Sequence, residues 1–340
     1  MRLANFVLTG LLSGLLLGAC QDHRTSPTPA QLQVSPFASG FKAPIGLATD
    51  PSGNVYVSEV GTGQNDGKVS LITPTGQVYP VATGFPSVID PQGDPAGLTH
   101  LTYRDGMLYI LHGASGTLYE AGVAGFGPGS TPYAASALAT EDVGTIARTC
   151  TLPECTGESN AYNLTFVPNG DLYITDAAAN AIVRRKADGT LSLFATLPSF
   201  RNPTPGAPSP QAGPPFIQAV PTGIIFDGTQ FLVTTLTGYP FPTGYARIYR
   251  LDPSGNILGS WDGYTMLVDI VADPVNQPVV VEYAQFGRGF TPNSGRVSRP
   301  ASTPNPAFLT GQNFPVAITR SGNTYYLASI ATGIVQKLTY

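Results

Sequence analysis

Residues 44–59 read P-I-G-L-A-T-D-P-S-G-N-V-Y-V-S-E, and the fold turns on this stretch. A short apolar strand at 45–48 runs into Asp50-Pro51-Ser52-Gly53-Asn54, and a second apolar strand follows at 55–58. Those five residues are the ones tight turns select. Pro presets φ, Gly supplies positive φ, and the Asp and Asn side chains bond to nearby backbone. The stretch therefore predicts strand, turn, strand.

The unit recurs, giving six copies in the chain. The second copy is read as Pro95-Ala96-Gly97-Leu98, a turn at Arg104-Asp105-Gly106, then Leu108-Tyr109-Ile110. The third is Ala161-Tyr162-Asn163-Leu164, turn Pro168-Asn169-Gly170-Asp171, strand Leu172-Tyr173-Ile174. The fourth is Pro221-Thr222-Gly223-Ile224, turn Asp227-Gly228-Thr229, strand Phe231-Leu232-Val233. The fifth runs from 267–271 through Asp273-Pro274 to Val279-Val280-Val281, and the sixth from Pro315-Val316-Ala317-Ile318 through Ser321-Gly322-Asn323 to Tyr325-Tyr326-Leu327. Self-similarity at such a spacing marks a repeat architecture.

Third strands follow at 68–72, 116–119, 181–184, 247–251, 295–297 and 333–338, and fourth strands at 78–83, 134–138, 191–196, 257–261 and 307–310. The sixth copy reaches Tyr340 with three strands and no fourth. The missing strand is supplied from the other end, where residues 33–41 resemble the Val81-Ala82-Thr83-Gly84-Phe85 segment that closes the first copy. Pairing them closes a ring and removes an open sheet edge. The expected fold is all-β: a six-bladed β-propeller over residues 32–340, four antiparallel strands per blade, with the N-terminal strand completing the last blade.

Composition agrees. The chain holds 39 Gly and 32 Pro but only 11% charged residues, too few for charged helix faces and well suited to short strands joined by turns. A net charge of −4, with the 17 basic residues scattered singly, argues against a nucleic-acid surface.

The first residues read as an export signal. Arg2 supplies a positive charge, and the apolar run at 6–17 is too short for a membrane span. It ends in Leu17-Gly18-Ala19-Cys20, which resembles the bacterial lipoprotein signal. That resemblance implies cleavage before Cys20 and lipidation of it, with 1–19 as signal peptide, and Gln21 in place of Asp implies the outer membrane or the periplasmic face of the envelope. An ordinary secretory peptide with an incidental Cys is the plainer alternative. Residues 20–31, polar and Pro-bearing, read as a flexible tether. The two remaining cysteines, Cys150 and Cys155, are expected to form a short-loop disulfide in an oxidising compartment.

The repeated P-x-G-L, turn and Y-V-x-E/D pattern resembles six-bladed propellers of the NHL and SMP-30 type. Glu158-Ser159-Asn160-Ala161-Tyr162-Asn163-Leu164 resembles the D-S-N-P-Y-G-L segment of the ScyD/ScyE family of exported propellers, departing from it at Ala161 and Asn163. The SMP-30 resemblance would imply a divalent metal held by Glu and Asn/Asp at the start of the inner strands. The matching positions, Ala43-Pro44-Ile45, Ala161-Tyr162, Pro221-Thr222 and Leu267-Val268, do not supply that set, so no metal and no cofactor are expected. Asn160, Asn163 and Asp269 stand beside those positions and leave a displaced site open. The nucleophile elbow, zincin and P-loop motifs are absent from the sequence.

The residues that end the second strands are Glu59, His112, Asp176, Thr235, Glu282 and Ser329. All are polar after apolar strands, and in a propeller they form a ring on one rim. Either each bonds the backbone of a neighbouring loop, or the ring lines a ligand-binding mouth in which His112 titrates near neutrality. The long connections at 140–159, 199–220, 236–245 and 283–294 emerge on the same rim, bringing Tyr239, Phe241, Tyr245, Phe286 and Phe290 as possible stacking surfaces. His100, mid-strand in the second copy, is expected to be a satisfied core residue. The functional expectation is a lipid-anchored module that binds a small-molecule or protein ligand, with the membrane reached through its lipid. The alternative is a propeller-type enzyme (hydrolase or lactonase, lyase or isomerase) working in the central funnel.

Overall fold

Four of the six second strands, Val55–Glu59, Leu172–Asp176, Phe231–Thr235 and Pro278–Glu282, are buried at every residue. A strand with one wet face would alternate, so these must be covered on both sides by neighbouring sheets. The computed structural model describes residues 32–204, 214–300 and 307–339 and shows how this is done. Six antiparallel sheets stand in a ring, each inner strand packing on the inner strands of both neighbours. The chain is a six-bladed β-propeller.

From the channel outward, blade 1 is Pro44–Thr49, Val55–Glu59, Gly67–Ile72 and Val78–Phe85. Blade 2 is Leu98–Arg104, Met107–His112, Thr117–Gly122 and Ala139–Asp142, and blade 3 is Ala161–Phe166, Leu172–Asp176, Ala181–Arg185 and Leu191–Thr196. Blade 4 is Pro221–Phe226, Phe231–Thr235, Ala246–Leu251 and Ile257–Tyr264; blade 5 is Leu267–Ala272, Pro278–Glu282, Gly295–Ser298 and Ala307–Gln312. Blade 6 is Pro315–Ser321, Thr324–Ser329 and Ile334–Thr339, closed by Gln33–Ser39 in the register Val34 opposite Leu338.

The core is divided rather than central. Each of six apolar clusters fills one gap between neighbouring blades; Tyr56, Phe85, Leu101 and Ile110, for instance, bridge blades 1 and 2. Each wedge therefore depends on both neighbours for its apolar cover, and ring closure is an energetic requirement.

Blade 2 departs from the sequence expectation in two ways. Its inner strand starts at Leu98, opposite His112, so Pro95-Ala96-Gly97-Leu98 is not equivalent to Pro44-Ile45-Gly46-Leu47; Leu101 is the counterpart of Leu47. Pro95–Ala96 instead pairs with Val88–Ile89 in a small hairpin. The outer strand is Ala139–Asp142, and Tyr133–Ala134 crosses over to pair in parallel with the outer strand of blade 1. The Cys150–Cys155 disulfide is formed, with a Cα–Cα distance of 5.9 Å. The signal peptide at 1–19, Cys20 and the tether at 20–31 lie outside the described residues.

Candidate functional site

All six blades carry the same local defect. In each, the pairing of first and second strands slips immediately after the first matched pair: after Pro44, Leu98, Ala161, Pro221, Leu267 and Pro315. A bulge re-aims the residue that follows it. Two positions on from those first pairs stand Gly46, His100, Asn163, Gly223, Asp269 and Ala317, which form a ring inside the channel. Three are polar and three are small, and the small ones make room. A Cβ on Gly223 would lie 2.9 Å from Asp269 Cα.

The inner strands present unpaired edges to the channel, and the polar members of this ring answer them. Asn163 Oδ1 accepts from Leu164 N at 2.7 Å. Asp269 Oδ1 accepts from Ile270 N at 2.8 Å and from Asn163 Nδ2 at 2.9 Å, while Oδ2 accepts from Ile318 N at 2.7 Å. Blades 3, 5 and 6 are thereby tied across the axis. His100 is less completely engaged. Its Nδ1 stands 3.1 Å from the Tyr162 carbonyl oxygen, which can only accept, so Nδ1 carries the proton. Nε2 has no hydrogen-bond partner, and Asp269 Oδ2 lies 3.7 Å away. His100 is therefore not the satisfied core residue its mid-strand position suggested. His100, Asn163 and Asp269 line a cavity of about 200 Å³ in the channel. Tyr162 packs on the His100 ring at 4.7 Å, and burial, with the Asp269 charge second, raises its hydroxyl pKa.

The six strand-end residues occupy equivalent positions, each paired with the first residue of its blade's inner strand. Their polar atoms are taken up locally. Glu59, Asp176 and Glu282 accept from the backbone N–H of Lys42, Asn160 and Thr265, on the segments leading into the inner strands. Glu59 also accepts from Ser70 Oγ, and Glu282 from Arg296. His112 Nε2 meets the Pro86 carbonyl at 2.8 Å, which leaves Nδ1 to accept from Ser115 Oγ. Ser329 donates to Asn313 O, and Thr235 bonds the Arg247 backbone. Burial raises the Asp176 pKa, against the hydrogen bonds from Ser159 and Asn160. None of the six lines either the channel cavity or the rim cavity described next. Their geometry is that of backbone clasps.

On the same rim a cavity of about 560 Å³ opens between blades 1, 2 and 3. Glu158, Ser159, Asn160 and Tyr162 form one wall, and Asp90 with the Pro95–Ala96 strand forms another. The rim aromatics divide. Tyr239, Phe241, Phe286 and Phe290 make one cluster with ring centroids 5.1–6.1 Å apart, while Tyr245 stacks separately on Phe200 at 5.7 Å. Phe290 and Tyr239 remain 41% and 39% exposed, so the cluster presents ring faces to solvent.

Asn163 and Asp269, which the sequence marks as a displaced site beside the inner-strand starts, share one repeat position with His100. Asn163 and Asp269 fall on the Gly of the P-x-G-L pattern, the residue that Gly46 and Gly223 supply. His100 falls there too, but placing Gly97 in that register shifted the second copy by three residues and concealed it.

No family model matches the chain, and no curated protein does. Solved structures share its fold. A catalytically inactive histidine-to-alanine variant of virginiamycin B lyase from Staphylococcus aureus, determined with quinupristin, is 18% identical over 91% of this chain and 99% of its own, with a TM-score of 0.52. The PQQ-bound aldose sugar dehydrogenase from Streptomyces coelicolor is 16% identical over 92% and 99%, TM-score 0.56. A luciferin-regenerating enzyme is 9% identical over 91% and 95%, TM-score 0.57. At these identities the likeness is one of architecture.

Proposed function

We propose that the protein is an exported, lipid-anchored propeller of the ScyD/ScyE kind that binds a ligand on the rim where its inner strands begin. The observation that carries this reading is the rim cavity of about 560 Å³, within the roughly 300–1,000 Å³ that small-molecule sites occupy. Its wall is built from Glu158, Ser159, Asn160 and Tyr162, the segment on which the resemblance rests. The strand-end clasps at Glu59, Asp176 and Glu282 hold the segments that frame this rim, and the exposed aromatics of blades 4 and 5 extend it.

The test is a thermal-shift screen of the full-length protein in detergent. A ligand at 100 times its Kd raises stability by about 2.7 kcal/mol. Glu158→Ala and Asn160→Ala should abolish the shift for a rim ligand, and Glu120→Ala, on the third strand of blade 2, should leave it. A ligand whose shift survives both rim substitutions sinks the reading. The second reading, an enzyme working in the funnel, draws on the unpartnered Nε2 of His100. It predicts turnover that is lost in His100→Gln.

A further inference from the structure

On the rim of the strand-end clasps, the part that belongs to blades 4 and 5 carries exposed rings and arginines. Three long connections build it, residues 199–220, 236–245 and 283–294, and none contains Asp, Glu or Lys. They join into one surface: Gly238 N donates to Gln218 O, and Thr243 Oγ1 donates to Gln285 Oε1 at 3.4 Å. Tyr239, Tyr245 and Phe290 remain 39%, 37% and 41% exposed there. The hairpin formed by Gln285–Phe286 and Phe290–Thr291 turns through Gly287-Arg288-Gly289, which sets Arg288 at an exposed tip between two phenylalanines. Arg201, on the strand that pairs with Phe216–Ile217, is exposed as well. Neither side chain meets a carboxylate, a ring face or a carbonyl. Every other arginine among the described residues does. Asp262, toward the end of the outer strand of blade 4, already faces Arg247 at 3.5 Å.

We propose that this patch docks a polysaccharide of uronic acids. Such a chain offers both halves of what the patch lacks. Each pyranose can lay an apolar C–H face on an exposed aromatic ring, and the carboxylate on the same sugar matches the guanidinium fork of an arginine in bidentate geometry. The charge does the selecting. The whole chain carries a net charge of −4, so an anion is drawn to these arginines and not to the molecule at large. Size decides against a folded protein partner. At roughly 200 Å² for a fully exposed aromatic residue, the three rings offer about 230 Å², well short of the roughly 800 Å² that each side of a stable protein complex buries. An anionic bilayer is disfavoured by topology. The N-terminal strand begins at Gln33, opposite Thr339, on the other rim from Ser329 and this patch, so a tether there turns the patch away from the membrane. The proposal does not rest on the rim cavity, which lies between blades 1, 2 and 3.

Tetragalacturonate and tetramannuronate are the probes, titrated calorimetrically into the full-length protein in detergent, with maltotetraose and tetraglutamate alongside. At least one uronate should bind saturably, and both controls at least 10-fold more weakly, since the first lacks the carboxylates and the second lacks the sugar faces. Arg288→Ala should weaken uronate binding at least 5-fold. Arg288→Lys should restore only part of it, because an ammonium keeps the charge without the fork. Phe290→Ala should weaken it at least 3-fold. Three results overturn the assignment: no saturable binding of either uronate, a control that binds as tightly, or an affinity unchanged in Arg288→Ala or in Phe290→Ala. Binding that survives both patch substitutions and is lost in Asn160→Ala would belong to the rim cavity and overturn it as well.

Discussion

Gly46 leaves no room for a side chain against His100. A Cβ there would stand 2.6 Å from His100 Cα, 2.6 Å from Ser58 Oγ and 2.9 Å from the Thr99 carbonyl oxygen. Two of these are backbone atoms of the next blade, which cannot swing aside, and Ser58 Oγ is itself fixed by donating to Thr99 O at 2.5 Å. Blade 1 and blade 2 thus meet at the channel through a missing methyl group. Gly46→Ala should lower stability by about 1–3 kcal/mol, the usual penalty for overpacking. Gly127→Ala, where a Cβ meets nothing within 4 Å, should stay within about 0.5 kcal/mol of wild type. Urea denaturation of the two variants checks this, and equal midpoints would show that the inner seam yields to a methyl group.

The clasp at Glu282 should matter more than its neutral counterpart at Thr235. Glu282 accepts from Thr265 N at 2.8 Å and from Arg296 Nε and Nη2 at 2.5 and 3.0 Å, and it is 2% exposed. Glu282→Ala strands the Thr265 N–H and the Arg296 cation. The expected loss is about 3 kcal/mol, toward the low end for a broken buried pair because Arg296 is partly exposed. Thr235→Ala removes one hydroxyl between strands and should cost about 1 kcal/mol. A reversed order in chemical denaturation would mean that the acidic clasps are not what secures the inner-strand lead-ins.

How far the sequence could be read depended on whether a turn announced itself. Asp50-Pro51-Ser52-Gly53-Asn54 forms the turn its residues select, with Asp50 Oδ1 accepting from Ser52 N and Asn54 N. Once such turns set the repeat, the blade number, the strand-end ring and the closure by Gln33–Ser39 followed. The channel did not, because its residues are placed by a bulge, and a bulge inserts a residue without changing the hydrophobic pattern around it. In blade 2 a proline-glycine pair in a side hairpin imitated the repeat and drew the register away from His100. The rim cavity was beyond sequence reading for a different reason. Its walls come from three consecutive blades, and only their packing brings Asp90 and Asn160 into one cavity.

Asp176 gives the fold a pH dependence of known sign. Burial raises its carboxyl pKa, against hydrogen bonds from Ser159 Oγ, Asn160 N and Ala179 N. The native state therefore holds this proton more tightly than the unfolded chain does. Its contribution to stability is fully present below the unfolded carboxylate pKa of about 3.9 and is lost as pH rises through the raised native value. Asp176→Asn has no charge to bury and keeps an oxygen for Asn160 N and Ala179 N. The stability difference, variant minus wild type, should grow from acid toward neutral pH and then level off. Urea midpoints compared across that interval decide it, and a difference that shrinks with rising pH refutes the assignment.

The outer strand of blade 6, Gln33–Ser39, should protect against association more than it adds core, because the inner strands of blades 6 and 1 still pack without it. Of its seven residues only Phe37 and Ala38 are partly buried, packing on the edge of the cluster between blades 6 and 1, and Phe37 makes one ring contact, to Tyr326 at 4.8 Å. Replacing 33–39 by a Gly-Ser linker therefore removes little buried apolar surface. What it removes is the partner of Ile334–Thr339, whose N–H and C=O groups then form an open edge beside Val335 and Leu338. An uncovered edge of that length is a template for pairing with another chain. The variant should keep a cooperative unfolding transition yet self-associate as its concentration rises, which light scattering reads directly. If it stays monomeric at every concentration while its unfolding midpoint collapses, the strand acts through packing, and the edge-covering account is wrong.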